Sequence, residues 1–332
     1  MQAGISLWEA ARREMEDYQF VAGAELQPKW DVPQEIAINV AVSGRFSDSQ
    51  EEGHPTSIEA YVDAASEVIE AGACGVHIDF SMVTDHQGRR LDRDVPPVEA
   101  YSAVLEPLRA RFGWDFVANL NVLNGSTFDI CVSPAREGLA EVAPCAAGHP
   151  DAFMVPAVSA LEHYGVKPEI VIHSSGEIEL AKRKLIDSGV LKPPYNWIIL
   201  YGLPFNVGRT LISGTWVSDA QDMARHLFMM VDQIRKIDPT AAITVCAAGR
   251  STLYMTTLAT MMGLNIRIGT EDTPWKYPNS DARLGSNLEM FRMARDIALL
   301  HGRRPATADE YRRMIGKAPR SGQAAAAGKV RA

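Results

Sequence analysis

The feature that most constrains the fold is a regular alternation between short apolar segments and longer amphipathic ones. Short apolar runs recur along residues 36–272, and segments with a helical spacing of apolar residues separate them. Apolar strands that each precede a helix predict a parallel sheet with both faces covered. The eight predicted strands are 36–44, 75–81, 116–122, 152–158, 169–175, 196–203, 242–249 and 266–272.

Eight such units favour an α/β protein of the closed (β/α)8 TIM barrel type. We predict one barrel over residues 35–318, an N-terminal helical extension over residues 1–34 and a flexible tail over residues 319–332. The segment after the fourth predicted strand, residues 159–167, is too short for a normal crossover helix. This weakens the count of eight strand–helix units. An open doubly wound sheet is the rival architecture, although no GxGxxG follows the first strand and no GxxxxGK[ST] occurs.

Helix signals lie between these strands. Residues 57–73 begin with Ser57, a residue type that caps helix N-termini. Apolar residues three and four apart predict further helices over 176–189, 218–238 and 287–302.

Charge and composition restrict the classes of partner. The net charge of −8 provides no positive field for phosphates, so a nucleic-acid partner is not expected. The N-terminal residues lack the apolar run of a signal peptide, and no stretch reaches about 18 uncharged apolar residues, so no membrane span is expected. Four cysteines without a CxxC pair favour buried thiols in a reducing compartment over a disulfide or a zinc–thiolate cluster. The expected location is cytoplasmic.

Candidate metal ligands occur at the C-terminal ends of predicted strands. The active-site residues of a barrel lie at these strand ends. The second strand ends in His77 and Asp79, whose side chains point the same way because they are two residues apart. The eighth strand ends in Glu271, and these two strands lie close together around a closed barrel. An imidazole with two carboxylates suits a divalent metal ion. The alternatives are a buried His–Asp hydrogen-bonded pair and a carboxylate that caps the next helix.

Other strand ends carry polar residues that could contact a substrate. Ser43 and Gly44 end the first strand, and Asn121 and Asn124 lie at the end of the third. Arg250 opens the helix after the seventh strand, where free backbone N–H groups could hold an anion. Each of these residues is also compatible with ordinary loop structure.

Three segments resemble the β-keto acid cleavage enzyme family, and the likeness spans roughly residues 36–316. The strongest is GLNIRIGTED (263–272), similar to a family block of glycine, two variable residues and Arg-Val-Gly-x-Glu-Asp. The run GVKPEIVIHSSGEIELAKRKLIDSGVLKPP (165–194) resembles the family's Lys-Pro-Glu strand and following helix. EAGACGVHID (70–79) resembles the family's Gly-Ala-x-x-x-His-x-His.

The resemblance implies a barrel that binds a divalent metal, usually zinc, and cleaves a β-keto acid with acetyl-CoA as co-substrate. The implied products are acetoacetate and the CoA thioester of the remainder. By position, the metal ligands are His77, Asp79 and Glu271. Arg267 and Asp272 match the family's catalytic arginine and aspartate, with the aspartate as a general base whose pKa the arginine lowers. The family also implies a homo-oligomer.

Two of the departures from the family pattern concern the metal ligands and the substrate carboxylate. Asp79 stands where the family has a second metal histidine, and this harder ligand shifts the preference from zinc towards manganese or iron. The family motif that holds the substrate carboxylate reads Asn121-Val122-Leu123-Asn124 here. We therefore expect either a different pocket for the carboxylate of a small oxo-acid substrate or a substrate that lacks this group and differs from the family's usual set. The alternative function is a metal-dependent C–C lyase, aldolase or hydrolase that acts without CoA, and a non-enzymatic barrel is a third hypothesis.

Overall fold

The chain divides into two compact units, Met1–Val32 and Pro33–Ala332. A computed structural model describes residues 6–17, 27–43, 55, 57–79, 97–122, 127–201, 206–207, 210–211 and 219–320. The first unit contains the helix Leu7–Asp17. Among the described helices, none combines the length and apolarity that a membrane span requires.

Eight parallel strands in the second unit form a closed barrel, which confirms the predicted fold class. Each strand pairs with the next along the chain, and the last pairs with the first, for example through Ile266 and Ile38. The strands are β1 (Ile38–Ala41), β2 (Gly75–Ile78), β3 (Val117–Leu120), β4 (Val142–Ala146), β5 (Lys167–Ile172), β6 (Asn196–Tyr201), β7 (Ala242–Ala247) and β8 (Asn265–Ile268).

A helix follows each barrel strand. As the sequence predicts, Ser57 caps the first of them, because its Oγ accepts a hydrogen bond from the backbone N–H of Ala60 at 3.2 Å. The helices are α1 (Ile58–Glu70), α2 (Pro97–Phe112), α3 (Phe128–Arg136), α4 (Asp151–His163), α5 (Ser175–Ala181, continued by a π-helical turn Lys182–Ile186), α6 (Ala220–Ile237), α7 (Thr252–Met261) and α8 (Asn287–Leu300).

The fourth predicted strand is wrong. Residues 152–158 belong to α4, and the fourth strand of the barrel is the earlier segment β4, with the sequence VAPCA. This strand has small side chains and a proline, so it lacks the bulky β-branched run on which strand prediction depends. With α4 in place, the fourth unit has a crossover helix of normal length. Its buried residues lie three and four apart, as in a helix: Met154, Ala157, Val158 and Leu161.

The inside of the barrel is partly polar. Side chains alternate along β1, so Ile38 and Val40 join the main hydrophobic core while the buried Asn39 lies on the other face. A short helix, α9 (Ala308–Met314), is the last one in the described part of the chain and contributes Tyr311 to a second apolar cluster. That cluster contains residues at the N-terminal ends of the strands, so α9 closes that end of the barrel. The opposite end, where the strands terminate, holds the candidate active site.

Gly269 is required where the chain leaves β8. Its φ of +146° is one that residues with a side chain rarely adopt, and a Cβ there would overlap the carbonyl oxygen of Ala41. We expect Gly269→Ala to destabilise the protein by more than the roughly 1–3 kcal/mol of backbone strain alone. Urea denaturation measures the change.

Gly189 provides the matched control for this substitution. It also has a positive φ, +73°, but a Cβ there would meet nothing within 4 Å. Gly189→Ala therefore adds strain without overlap, and its loss of stability should be clearly smaller. Equal losses in the two variants would contradict the close approach of Gly269 to Ala41.

Candidate active site

A buried arginine and two carboxylates form the centre of the site, at the C-terminal end of β8. Arg267 donates from Nη2 to Oε1 of Glu271 at 2.6 Å. It also donates to both oxygens of Asp272, from Nη2 at 3.0 Å and from Nε at 3.3 Å. The three side chains are at most 6% exposed. The guanidinium thus aligns two neighbouring carboxylates and offsets part of their charge.

Hydrogen bonds to neighbouring elements fix the backbone that carries these carboxylates. The N–H of Thr270 donates to Oδ1 of Asn287, the first residue of α8, at 2.9 Å. The carbonyl of Asp272 accepts from the N–H of Gly249, just after β7, at 2.9 Å. The loop after β8 is therefore tied both to the following helix and to the adjacent strand end.

His77 on β2 faces this cluster. Its Nε2 lies 3.5 Å from Oε1 of Glu271, so the structure brings together these two residues as the sequence predicts. Its Nδ1 lies 3.1 Å from Oδ1 of Asn119 on β3. Burial lowers the pKa of His77 to about 3, and the charge of Arg267 also lowers it. The imidazole is therefore neutral near pH 7, which is the form that binds a metal ion.

Asp79 comes directly after β2 and is fully buried. Its backbone N–H donates to Oγ of Ser43 at 3.2 Å, and its Oδ2 accepts from Nδ2 of Asn121 at 3.1 Å. Ser43 and Asn121, predicted as substrate contacts, thus lie against Asp79. Gly44 and Asn124, predicted for the same role, lie outside the described residues.

Two of the three predicted metal ligands, His77 and Glu271, lie at a separation that suits a shared metal ion. Two donor atoms at about 2.1 Å from one metal ion stand roughly 3–3.5 Å apart. The 3.5 Å between Nε2 of His77 and Oε1 of Glu271 suits such a pair. Within the described ranges, no three His, Cys, Asp or Glu side chains are grouped so that they could hold a metal ion. Asp79 as the third ligand therefore stays a prediction.

Arg250 lies at the rim, in a 3-10 turn after β7. Its guanidinium donates to the carbonyl of Ser280 and to the carboxylate of Asp281, and its central carbon lies 3.9 Å from the ring centre of Trp275. The guanidinium of Arg283 lies at the same distance from that ring. Protein groups thus already hold Arg250, and its contact with a substrate stays a prediction.

The predicted direction of the Asp272 pKa is wrong. Burial raises the pKa of Asp272 above its ordinary value, the charge of Arg267 opposes this rise without overcoming it, and Glu271 adds to it. The sequence shows that Arg267 is close to Asp272 in the chain, but it does not show that the Asp272 side chain is buried. When it is ionised, a carboxylate with a raised pKa is the stronger base, which is compatible with the predicted role of Asp272.

Glu169 on β5 belongs to the site and was not among the predicted residues. Its Oε2 accepts a hydrogen bond from Nδ2 of Asn119 at 3.0 Å, and both side chains are 1% exposed. Burial raises the pKa of Glu169. A glutamate inside an apolar strand was the available signal, because glutamate is almost never fully buried without a partner.

The assembled groups suit one kind of chemistry. A buried carboxylate with a raised pKa, held by an arginine, can accept a proton from a carbon acid. A neutral imidazole beside a carboxylate can bind a metal ion that polarises a carbonyl oxygen. The combination fits proton abstraction next to a carbonyl group.

Sequence comparison places the chain among known enzymes. The model of a family described as beta-keto acid cleavage enzyme matches residues 35–316. A curated relative, the 3-keto-5-aminohexanoate cleavage enzyme of Fusobacterium nucleatum subsp. nucleatum, is 28% identical over 151 residues. That match covers 46% of this chain and 48% of the relative, so the chain spans about half the length of the relative it matches.

Solved structures share the barrel. ObcA in complex with oxaloacetate superposes with a TM-score of 0.64 at 17% identity, over 80% of this chain and 68% of that one. ObcA with a C4-CoA adduct and oxalate gives 0.60 at 18% identity, over 79% and 67%. A type I 3-dehydroquinate dehydratase from Clostridium difficile gives 0.53 at 13% identity, over 83% and 98%. These structural likenesses show the fold alone. The family model matches most of the sequence, and the chain therefore belongs to the β-keto acid cleavage enzyme family.

Proposed function

We propose that this protein cleaves a β-keto acid with acetyl-CoA as co-substrate and depends on a divalent metal ion. The proposed products are acetoacetate and the acyl-CoA of the remainder. The observation that carries the proposal is the buried cluster in which Arg267 binds both Glu271 and Asp272, with His77 at 3.5 Å from Glu271. Membership of the family supports the reaction class.

The products define which bonds change. A proton leaves C2 of the keto acid, and C2 forms a bond to the acetyl carbonyl carbon as that carbon loses its bond to sulfur. The released CoA thiolate attacks C3 of the keto acid, and the C2–C3 bond breaks. C2 then takes back a proton as part of acetoacetate, so the reaction needs no oxidant or reductant.

Asp272 is the proposed base that removes the proton from C2 and returns it. Arg267 binds both oxygens of this carboxylate and so sets its orientation. Burial of both side chains keeps bulk water away from the carbanion, which water would otherwise protonate. Further proposed contacts of the oxo-acid are Ser43, Gly44, Asn121, Asn124 and Arg250.

His77 and Glu271 would hold the metal ion, with Asp79 as the proposed third ligand. Zinc is the first candidate, and manganese and iron follow because Asp79 offers a hard oxygen ligand. When bound, the ion would supply Lewis acidity at the keto oxygen.

The activity can be tested directly on the purified full-length chain. The protein is supplied separately with Zn²⁺, Mn²⁺ or Fe²⁺ and incubated with acetyl-CoA and a panel of β-keto acids. We expect acetoacetate and one new acyl-CoA in equal amounts, with no product after chelation of the metal. Absence of acetoacetate with every metal and every keto acid would contradict the proposal.

One contact favours a second candidate, a metal-dependent C–C lyase, aldolase or hydrolase that acts without CoA. Asn121 begins the segment that stands in place of the family's carboxylate-binding motif, and its amide donates to Asp79. Because the Asn121 amide donates to Asp79, it is not available to bind the substrate. The second candidate predicts metal binding without acetyl-CoA binding in calorimetry, and micromolar acetyl-CoA binding argues against it.

Glu271→Ala is expected to weaken metal binding by more than about 100-fold, because loss of a partner outside the ligand shell alone costs 10–100-fold. Elemental analysis after gel filtration and Zn²⁺ titration of the apoprotein measure the change. Glu289→Ala is the control, since it removes a glutamate paired with Lys276 and should leave metal binding unchanged. Full metal occupancy in Glu271→Ala would show that Glu271 is not a ligand.

A further inference from the structure

A chain of buried hydrogen bonds leads away from His77 on the side opposite to Glu271. His77 and Asn119 are paired residues of the β2–β3 ladder, and their side chains meet at 3.1 Å between Nδ1 and Oδ1. The other end of the Asn119 amide, Nδ2, donates to Oε2 of Glu169 at 3.0 Å. None of the three side chains is more than 2% exposed. The chain therefore crosses the barrel interior from β2 to β5 without access to bulk water.

The direction of these hydrogen bonds determines which ring nitrogen of His77 carries the proton. An amide nitrogen donates and a carboxylate accepts, so the NH2 group of Asn119 faces Glu169. The amide oxygen of Asn119 then faces His77 and can only accept, which requires N–H at Nδ1. Nε2 is left with its lone pair, 3.5 Å from Oε1 of Glu271.

We propose that Asn119, with its amide oriented by Glu169, is a positioning residue that holds His77 in the Nδ1–H tautomer and thereby presents Nε2 as a metal ligand. The inference rests on the metal site of the proposed function. It adds the two residues, on β3 and β5, that decide whether the imidazole can bind the ion.

The opposite orientation of the Asn119 amide would prevent Nε2 of His77 from binding a metal ion. If the Asn119 amide were reversed, its NH2 group would donate to Nδ1 of His77, and Nε2 would carry the proton. An N–H at Nε2 would donate to Glu271 and could not bind a metal ion. Glu169 in its ionised form opposes this state, because a reversed amide would present its oxygen to a group that can only accept.

The tautomer can be read by NMR on the metal-free, full-length protein labelled with ¹⁵N-histidine. Long-range ¹H–¹⁵N correlations distinguish a protonated ring nitrogen from one with a lone pair, and the signals that disappear in His77→Gln identify this residue. We expect Nδ1–H in the wild type. A wild-type ring protonated at Nε2 would overturn the proposal.

Variants test whether Asn119 and Glu169 cause this preference. In Asn119→Ala the neutral ring should populate both tautomers, and Zn²⁺ affinity should fall by about 10–100-fold. Asn196→Ala is the matched control: it removes another buried amide of the barrel, on β6, and should change neither readout. Retention of pure Nδ1–H and full Zn²⁺ affinity in Asn119→Ala would overturn the proposal.

Glu169→Gln keeps the shape of the glutamate, so it serves if Asn119→Ala fails to fold. A glutamine amide can donate as well as accept, so it no longer fixes the orientation of Asn119. Both His77 tautomers should then appear, and an unchanged spectrum would count against the proposal. Neither readout uses catalysis, so an absence of β-keto acid cleavage with the expected spectra would reject the proposed function and leave this inference standing.

Discussion

Asp272→Asn is expected to lower kcat/KM for β-keto acid cleavage by about 10²–10⁴-fold, the usual contribution of a positioned general base. Asparagine has the same size and keeps an oxygen that can accept from Arg267, but it cannot take a proton from C2. Steady-state kinetics of the metal-loaded protein measure the loss. Because His77 and Glu271 are unchanged, metal content should remain at the wild-type level.

Asp296→Asn is the control for this variant. Asp296 pairs with Arg295 at the protein surface, at 2.8 Å, and has no part in the proposed site. Its kcat/KM should equal that of the wild type. If Asp272→Asn kept its metal and lost less than a factor of ten in kcat/KM, Asp272 would not be the base.

Glu141→Gln is expected to lower the free energy of unfolding by about 3–5 kcal/mol, as when one partner of a buried ion pair is removed. Glu141 is 1% exposed and accepts from Arg312 at 2.8 and 3.0 Å and from Arg109 at 2.8 Å. Glutamine would remove the anion that both guanidiniums share in the interior, although Arg312 also pairs with Asp309 at 2.7 Å. Urea denaturation at neutral pH measures the effect.

Glu137→Gln is the surface control, since Glu137 is 54% exposed and pairs with Arg136 at 3.5 Å. Its effect should stay within about 0.5 kcal/mol. A similar small effect for Glu141→Gln would show that the Glu141 cluster does not stabilise the fold.

The stabilisation by Glu141 should depend on pH. Burial alone would raise the pKa of Glu141, but Arg312 and Arg109 more than offset it, so its pKa lies below the ordinary value of 4.5. A lowered folded-state pKa gives stability that is fully present above the unfolded-state pKa and is lost as the pH falls through the folded-state pKa. The stability difference between wild type and Glu141→Gln should therefore shrink below about pH 4.5. A constant difference down to the acid transition would contradict this.

The proximity of two residues in the candidate site could be predicted from their positions at strand ends. His77 and Glu271 are 194 positions apart in the chain, and the closed barrel places them 3.5 Å apart because β2 and β8 both pair with β1. The inference needed only that parallel strands end at one face of a barrel. An error in the fourth strand did not disturb it, because β4 contributes none of the predicted site residues.

Burial and hydrogen-bond direction could not be read from the sequence. The neighbouring Arg267 suggested a lowered pKa for Asp272, whereas the complete burial of the pair raises it. Glu169 looked like one more strand residue, and only the folded structure shows that its carboxylate orients Asn119. Asp79 illustrates the same difficulty, since its sequence position suggests a ligand while its described contacts are with Ser43 and Asn121.

The most direct test of the proposed function follows the acetyl group. The metal-loaded, full-length protein is given a β-keto acid and acetyl-CoA labelled with ¹³C at the acetyl carbonyl, and the products are read by NMR. If the proposed function is right, all of the label appears at the ketone carbon of acetoacetate and the new acyl-CoA carries none. Label in free acetate, label in the new acyl-CoA, or unlabelled acetoacetate would contradict it.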